Sequence, residues 1–95
     1  MKKSDYIEAH KYSSNHRENV LSSPKCGCFY CLKAFNPDEI VDWIDENKKG
    51  VGQTALCPTC GIDSVIGSNS GFSITNDFLG KMKKYWFERK EKNNL

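Results

Sequence analysis

Apolar residues recur at helical spacing in two separate stretches of the chain. The first stretch follows a strong helix-start signal, with Asn36 at the N-cap, Pro37 at the first helical position and Glu39 completing a capping box. This pattern predicts an amphipathic helix that ends near Lys49, with Gly50 as its C-terminal stop. Its apolar stripe holds Ile40, Val41, Trp43 and Ile44, and its acidic outer face holds Asp38, Asp42, Asp45 and Glu46.

The second stretch predicts a helix near the C-terminus. Thr75 suits the N-cap, and Ile74 and Leu79 occupy the two positions of a hydrophobic staple. We expect the apolar face of this helix to pack on the core. That face holds Phe78, Leu79, Met82, Tyr85 and Trp86, whereas the rest of the helix is basic and holds Lys81, Lys83, Lys84, Arg89, Lys90 and Lys92.

The segments before and between the two predicted helices favour short strands. Residues 26–35 combine cysteines with aromatic residues and are predicted to form a β-hairpin. Residues 54–56 and 62–66 predict further short strands, although the apolar residues at 62, 65 and 66 do not alternate cleanly, and residues 67–71 form a loop by composition.

The first 24 residues are mostly polar and are interpreted as an arm, residues 1–24, that precedes a domain of residues 25–95. Ser4 is predicted to cap a short helix that reaches about Tyr12. A second helical turn is predicted from a capping box of Asn15 and Glu18, with Pro24 as its stop.

Both histidines of the chain, His10 and His16, lie in this arm. Histidine in a polar segment is most often a solvated surface residue, and we expect this of both. Metal ligation by either residue is the alternative that the sequence leaves open.

The candidate chemistry lies in two cysteine pairs, Cys28-Phe-Tyr-Cys31 and Cys57-Pro-Thr-Cys60, with residues 32–56 between them. Each pair places two thiolates on one side of a tight loop, and two such loops supply the four sulfurs of a tetrahedral Zn²⁺ site. Pro58 and Gly61 suit the tight loop of the second pair. The predicted ligands of one structural zinc ion are Cys28, Cys31, Cys57 and Cys60.

The fifth cysteine, Cys26, is predicted not to bind the metal. Pairing it with Cys31 would give a C-x4-C spacing and therefore a looser loop. An odd number of cysteines, with no apolar N-terminal run and no membrane-spanning stretch, argues for reduced thiols in a cytoplasmic protein. The formal net charge of +2 approaches neutrality when four thiolates and Zn²⁺ are counted, which gives little long-range attraction to nucleic acid.

These elements predict one small α+β domain with a zinc-ribbon-like site. Two knuckles would lie on short β-hairpins, with one helix inserted between them and one helix at the C-terminus. In the competing treble-clef fold the second ligand pair opens a helix, but residues 61–67 are β-rich and carry no helix cap.

Two segments resemble a family of small bacterial proteins described only as uncharacterised cytoplasmic proteins. They are ALCPTCGIDSVIG, at residues 55–67, and FLGKMKKYWF, at residues 78–87. The resemblance extends from about Cys28 to Phe87 and leaves the N-terminal arm outside. It implies a four-cysteine zinc module in bacterial or phage cytoplasm and carries no activity with it.

Three functions fit this pattern. A protein-interaction or regulatory module is favoured, because aromatic residues are enriched at binding hot spots, and we expect the partner to contact the Trp86 and Phe87 region. The alternative is a zinc-ribbon nucleic-acid-binding protein that uses the lysines of the last helix, although the acidic first helix opposes it. A rubredoxin-like redox protein or a nuclease is less favoured, because Leu32 rather than glycine follows the first cysteine pair and no His-Asn-His pattern is present. No catalytic residue, enzymatic activity or membrane partner is therefore expected.

Overall fold

A computed structural model of the protein describes residues 3–88. The chain begins with α1 (Lys3–Glu8), which continues as a 3-10 turn over Ala9–Ser13 and is followed by α2 (Arg17–Ser22). Five short strands come next: β1 (Cys26–Cys28), β2 (Ala34–Phe35), β3 (Trp43–Glu46), β4 (Gly52–Ala55) and β5 (Val65–Gly67). Single 3-10 turns occur at Pro37–Glu39 and Ser68–Ser70, and α3 (Asn76–Lys83) continues as a π-helical turn over Lys84–Glu88.

The strands form two antiparallel sheets. A three-stranded sheet has the order β2-β1-β5, with Cys26 opposite both Phe35 and Gly67. A separate two-stranded sheet pairs β3 with β4 and places Trp43 opposite Ala55. The predicted small α+β class and the predicted hairpin over residues 26–35 are confirmed.

The three-stranded sheet lies between two apolar clusters, because successive side chains of a strand point to opposite faces. Cys28 and Val65 belong to the cluster that contains the paired cysteines. Ile66 belongs to the other cluster, which Phe78 and Leu79 of α3 complete. Among the described residues, no helix is both long and apolar enough to cross a lipid bilayer.

Gly27 allows α3 to approach the central strand closely. A Cβ atom at this position would lie 2.8 Å from Ile74 Cγ2 and 2.8 Å from Leu79 Cδ1. These two side chains are the predicted hydrophobic staple, and they meet over the glycine. The N-cap prediction is also confirmed, since the Thr75 hydroxyl accepts a hydrogen bond from the Phe78 N–H at 3.1 Å. The basic residues Arg89, Lys90 and Lys92, predicted for the same helix, lie outside the described residues.

The helix predicted between Asn36 and Lys49 is wrong. Its start signal forms, because the Asn36 N–H donates to the Glu39 carboxylate at 2.8 Å, but the turn ends at Ile40, which returns to an extended backbone. β-branched and aspartate residues at positions 40–45 have low helix propensity, and a β-hairpin with β4 captures the segment instead. The expected apolar stripe is consequently split: Ile40 is buried, whereas Val41 is 78% exposed.

The arm predicted over residues 1–24 is packed in its described part, with Ala9 and Val20 fully buried. Ser4 lies inside α1 rather than at its N-cap. The capping box predicted at Asn15 is also wrong, since His16 occupies the N-cap of α2 and Asn15 adopts a positive φ of 48°. The Asn15 N–H instead donates to the Thr54 hydroxyl at 2.8 Å, so a contact with β4 replaces the local cap.

Candidate metal centre

The sulfur atoms of Cys28, Cys31, Cys57 and Cys60 come together between the two knuckles, all within 4.8 Å of one another. Cys28 Sγ lies 3.6 Å from Cys60 Sγ, and Cys31 Sγ lies 3.7 Å from Cys57 Sγ. A tetrahedral site with metal–sulfur bonds of about 2.3 Å has edges of about 3.8 Å. The four cysteines predicted from the sequence are therefore positioned to hold a metal ion.

The two knuckles share the same backbone hydrogen bonds. In the first, the Leu32 N–H donates to the Cys28 carbonyl at 2.9 Å and the Cys28 N–H donates to the Lys33 carbonyl at 3.0 Å. In the second, the Gly61 N–H donates to the Cys57 carbonyl at 2.9 Å and the Cys57 N–H donates to the Ile62 carbonyl at 3.0 Å. This repetition places two equivalent loops face to face, each contributing two sulfurs.

Both knuckles need a left-handed residue directly after their second cysteine. Gly61 supplies it with a φ of 78°, as its lack of a Cβ allows. Leu32 supplies it in the first knuckle with a φ of 67°, at a cost of about 1–2 kcal/mol for a side chain in this region. The Leu32 side chain packs against the apolar cluster that contains Phe78 and Leu79 of α3, and this packing offsets the strain. The presence of Leu32 instead of glycine after the first cysteine pair therefore does not prevent a rubredoxin-like knuckle, although from the sequence alone we expected it to disfavour one.

Backbone N–H groups point at the first sulfur of each pair. Cys28 Sγ accepts from the N–H groups of Tyr30 at 3.3 Å and Cys31 at 3.4 Å. Cys57 Sγ accepts from the N–H groups of Thr59 at 3.4 Å and Cys60 at 3.5 Å. Such donors stabilise thiolate charge, as a four-sulfur metal site requires.

Ser64 adds a contact that sequence reasoning missed. Its buried hydroxyl lies 2.9 Å from Cys28 Sγ, and it must be the donor once that sulfur is a thiolate. The Ser64 carbonyl accepts the Phe29 N–H at 3.0 Å, which fixes the serine beside the knuckle. No motif marks this residue, because its role depends on the pairing of β1 with β5.

The thiols have unequal pKa values in the absence of a cation. Burial raises the pKa of Cys60 to about 12, and the neighbouring Cys28 adds to the effect. Burial works to raise the pKa of Cys57, but hydrogen bonds from the N–H groups of Cys60 and Thr59 and from the thiols of Cys31 and Cys60 together lower it. A cation held between the sulfurs would compensate the charge of thiolates at this close spacing.

The remaining candidate ligands lie elsewhere. Cys26 is buried in the same apolar cluster, and its thiol contacts the Val20 carbonyl at 3.8 Å. His16 is 4% exposed, so the prediction of a solvated surface residue is wrong for it. Its Nδ1 bonds to the Tyr12 carbonyl and its Nε2 accepts the Ala55 N–H at 3.0 Å, which makes it a structural link between the arm and β4. His10 is half-buried against Trp86, with ring centroids 4.0 Å apart.

An aromatic surface adjoins the first knuckle. Tyr30, inside the Cys28–Cys31 loop, meets Phe87 edge-on with ring centroids 4.9 Å apart. Tyr30 is 39% exposed and Phe87 is 40% exposed, whereas Trp86 is half-buried and donates its indole N–H to the Tyr6 carbonyl at 3.0 Å. Lys83 Nζ lies 5.3 Å from the Tyr30 ring centroid. We call Tyr30, Trp86 and Phe87 the aromatic surface.

Comparison of the chain with protein-family models, with curated proteins and with solved structures finds no match. The resemblance to small bacterial cytoplasmic proteins stays an expectation from the sequence.

Proposed function

We propose that this chain is a zinc-stabilised module that binds another protein through the aromatic surface. The observation that carries the metal part is the tetrahedral spacing of four sulfurs held by two equivalent knuckles. Zn²⁺ accepts four thiolates in this geometry and needs no open coordination position in a structural site. The ligands are Cys28, Cys31, Cys57 and Cys60, and the fold is assigned to the zinc-ribbon type.

The three-stranded and two-stranded sheets support the zinc-ribbon assignment. The first knuckle connects β1 to β2, and the second lies between β4 and β5. The segment after the second ligand pair enters β5, which pairs with β1, so the pair does not open a helix as it would in a treble clef. A site that needs four reduced thiolates supports a cytoplasmic location, which is part of this proposal.

Metal binding and partner binding are linked through Tyr30. This residue lies between two ligands, so the metal fixes the loop that presents its ring to Phe87. Burying an exposed aromatic side chain at an interface contributes roughly 1.5–3 kcal/mol, which suits a modest protein contact. Zinc in this proposal has a structural role: it holds the docking surface in shape and takes part in no reaction.

Capture of partners by the zinc-loaded chain tests this function. Phe87→Ala should weaken capture of the partner, while Lys84→Ala, an exposed neighbour in the same turn, should not. Each captured protein would then be purified and titrated against both variants. Binding that is unchanged by Phe87→Ala would contradict the proposed surface.

Nucleic-acid binding is the competing function, favoured by the position of Lys83 over the Tyr30 ring. Single strands bind to aromatic platforms with basic rims, and this binding weakens steeply with salt. The two functions therefore separate by titration at rising ionic strength. Tight binding of single-stranded DNA or RNA that Lys83→Ala removes would select this alternative.

A further inference from the structure

A cleft lies beside the aromatic surface, between the N-terminal 3-10 turn and the end of the C-terminal helix. Its walls are aromatic: Phe29, Trp86 and Phe87 line it together with the His10 ring. Three polar residues, Ser13, Ser14 and Asp63, complete the lining. Phe29 lies at the base, 1% exposed, with its ring centroid 5.7 Å from that of Phe87.

Two hydrogen-bond acceptors of the cleft are available to a ligand, the Asp63 carboxylate and one ring nitrogen of His10, whereas the Ser14 hydroxyl can both accept and donate. The Asp63 carboxylate makes no ion pair or hydrogen bond with the described residues. Neither ring nitrogen of His10 has a hydrogen-bond partner within residues 3–88. Burial lowers the pKa of His10 below its ordinary value of 6.5, against the opposing effect of Asp63, so at pH 7 its ring is neutral and offers one nitrogen lone pair and one N–H group.

The lining residues therefore carry a single formal charge, the negative charge of Asp63, surrounded by aromatic rings. A ligand that fits this chemistry is cationic, rich in N–H donors and able to stack on aromatic faces. The arginine guanidinium has all three properties, since it is planar, always charged and carries five N–H donors.

We propose that this cleft receives an arginine side chain of the partner protein, an inference that rests on the proposed protein-binding function. The guanidinium stacks beside Phe87 and donates hydrogen bonds to the Asp63 carboxylate and to His10. A lysine ammonium has the charge but lacks the planar face, and a nucleobase lacks the charge. The cleft thus supplies specificity next to the less selective contact of the aromatic surface.

Titration of the zinc-loaded full chain with N-acetyl-arginine N-methylamide tests this inference, with NMR shifts of the Trp86 indole N–H as the readout. The matched probe is the citrulline analogue, which keeps the planar shape without the charge. We expect the arginine analogue to bind at least about fivefold more tightly than the citrulline analogue. Asp63→Asn should remove this difference, and Asp38→Asn, an exposed carboxylate outside the cleft, should leave it intact.

Equal binding of the two analogues, or binding unaffected by Asp63→Asn, would overturn the inference. Tighter binding of guanosine monophosphate at the same residues would also overturn it, because the cleft would then select a nucleobase. Zinc content is measured on the same samples to separate the two proposals. A chain that holds zinc and stays folded but ignores the arginine analogue refutes the cleft inference alone, whereas a folded chain without a zinc site refutes the proposed function.

Discussion

Replacing His16 by alanine should destabilise the protein strongly, although this residue belongs to no motif. Its ring is 4% exposed and bridges the Tyr12 carbonyl and the Ala55 N–H. Removing the ring leaves the buried Ala55 N–H and the partly buried Tyr12 carbonyl without their partners, at a cost of about 1–3 kcal/mol each. We therefore expect the free energy of unfolding to fall by about 2–6 kcal/mol, a large share of the usual stability of a small domain.

The same contacts predict a pH dependence. Burial lowers the pKa of His16 in the folded protein below its ordinary value of 6.5, although the Tyr12 carbonyl opposes this shift. A proton on Nε2 would face the Ala55 N–H, so the folded state resists protonation while the unfolded state accepts it. The His16 contribution is therefore complete above pH 6.5 and declines as the pH falls below that value.

Urea unfolding of the zinc-loaded chain at about pH 7.5 and about pH 6 measures both effects. His10→Ala is the matched control, because the pKa of His10 is lowered in the same direction but its ring nitrogens bridge no described backbone groups. Protonation of the thiolates also weakens metal binding in acid, so the informative quantity is the difference between variant and parent. A His16→Ala protein with the stability of the His10→Ala protein, or with the pH slope of the parent, would refute this reasoning.

Three further predictions concern the region around the metal centre. Gly27→Ala should lower the free energy of unfolding, measured by thermal unfolding, by about 1–3 kcal/mol, because the new Cβ would lie only 2.8 Å from atoms of Ile74 and Leu79. Gly80→Ala is the control and should not destabilise the protein, because a Cβ atom there would have no neighbour within 4 Å. Ser64→Ala should still bind one zinc per chain, but its zinc affinity in a chelator competition should fall by about tenfold, because Cys28 loses a hydrogen bond to its sulfur. An unchanged affinity would show that the Ser64 hydroxyl does not support Cys28. Removal of zinc with a chelator should abolish the near-ultraviolet circular dichroism of the aromatic surface, and addition of zinc should restore it. A metal-free chain that keeps this signal would contradict the proposed link between the metal and the aromatic surface.

The cluster of four cysteines was predictable because its determinants are local. A C-x2-C loop fixes its own geometry through backbone hydrogen bonds within a few residues, so the pairs at Cys28 and Cys57 signal the site without knowledge of the fold. The N-cap at Thr75 was predictable for the same reason, since its bond to Phe78 spans one helical turn.

The remaining features depend on contacts between residues far apart in the chain. Asn36 and Glu39 form the first turn of a helix, but pairing of β3 with β4 then overrides the local signal. His16 becomes a buried link only because the arm lies along β4, where its partner Ala55 is thirty-nine residues further along the chain. Ser64 and Asp63 likewise acquire their roles from the position of β5 and the cleft, which the pattern of apolar residues does not encode.

X-ray absorption at the zinc edge tests the central claim most directly, measured on the purified chain and on its Cys26→Ser and Cys60→Ser variants. The predicted spectrum for the parent is a single shell of four sulfur atoms at about 2.3 Å, unchanged in Cys26→Ser and lost or altered in Cys60→Ser. A nitrogen atom among the zinc ligands would contradict the four-sulfur site and would indicate that His10 or His16 binds the metal. Iron in place of zinc in the purified protein would equally contradict the proposed structural zinc module.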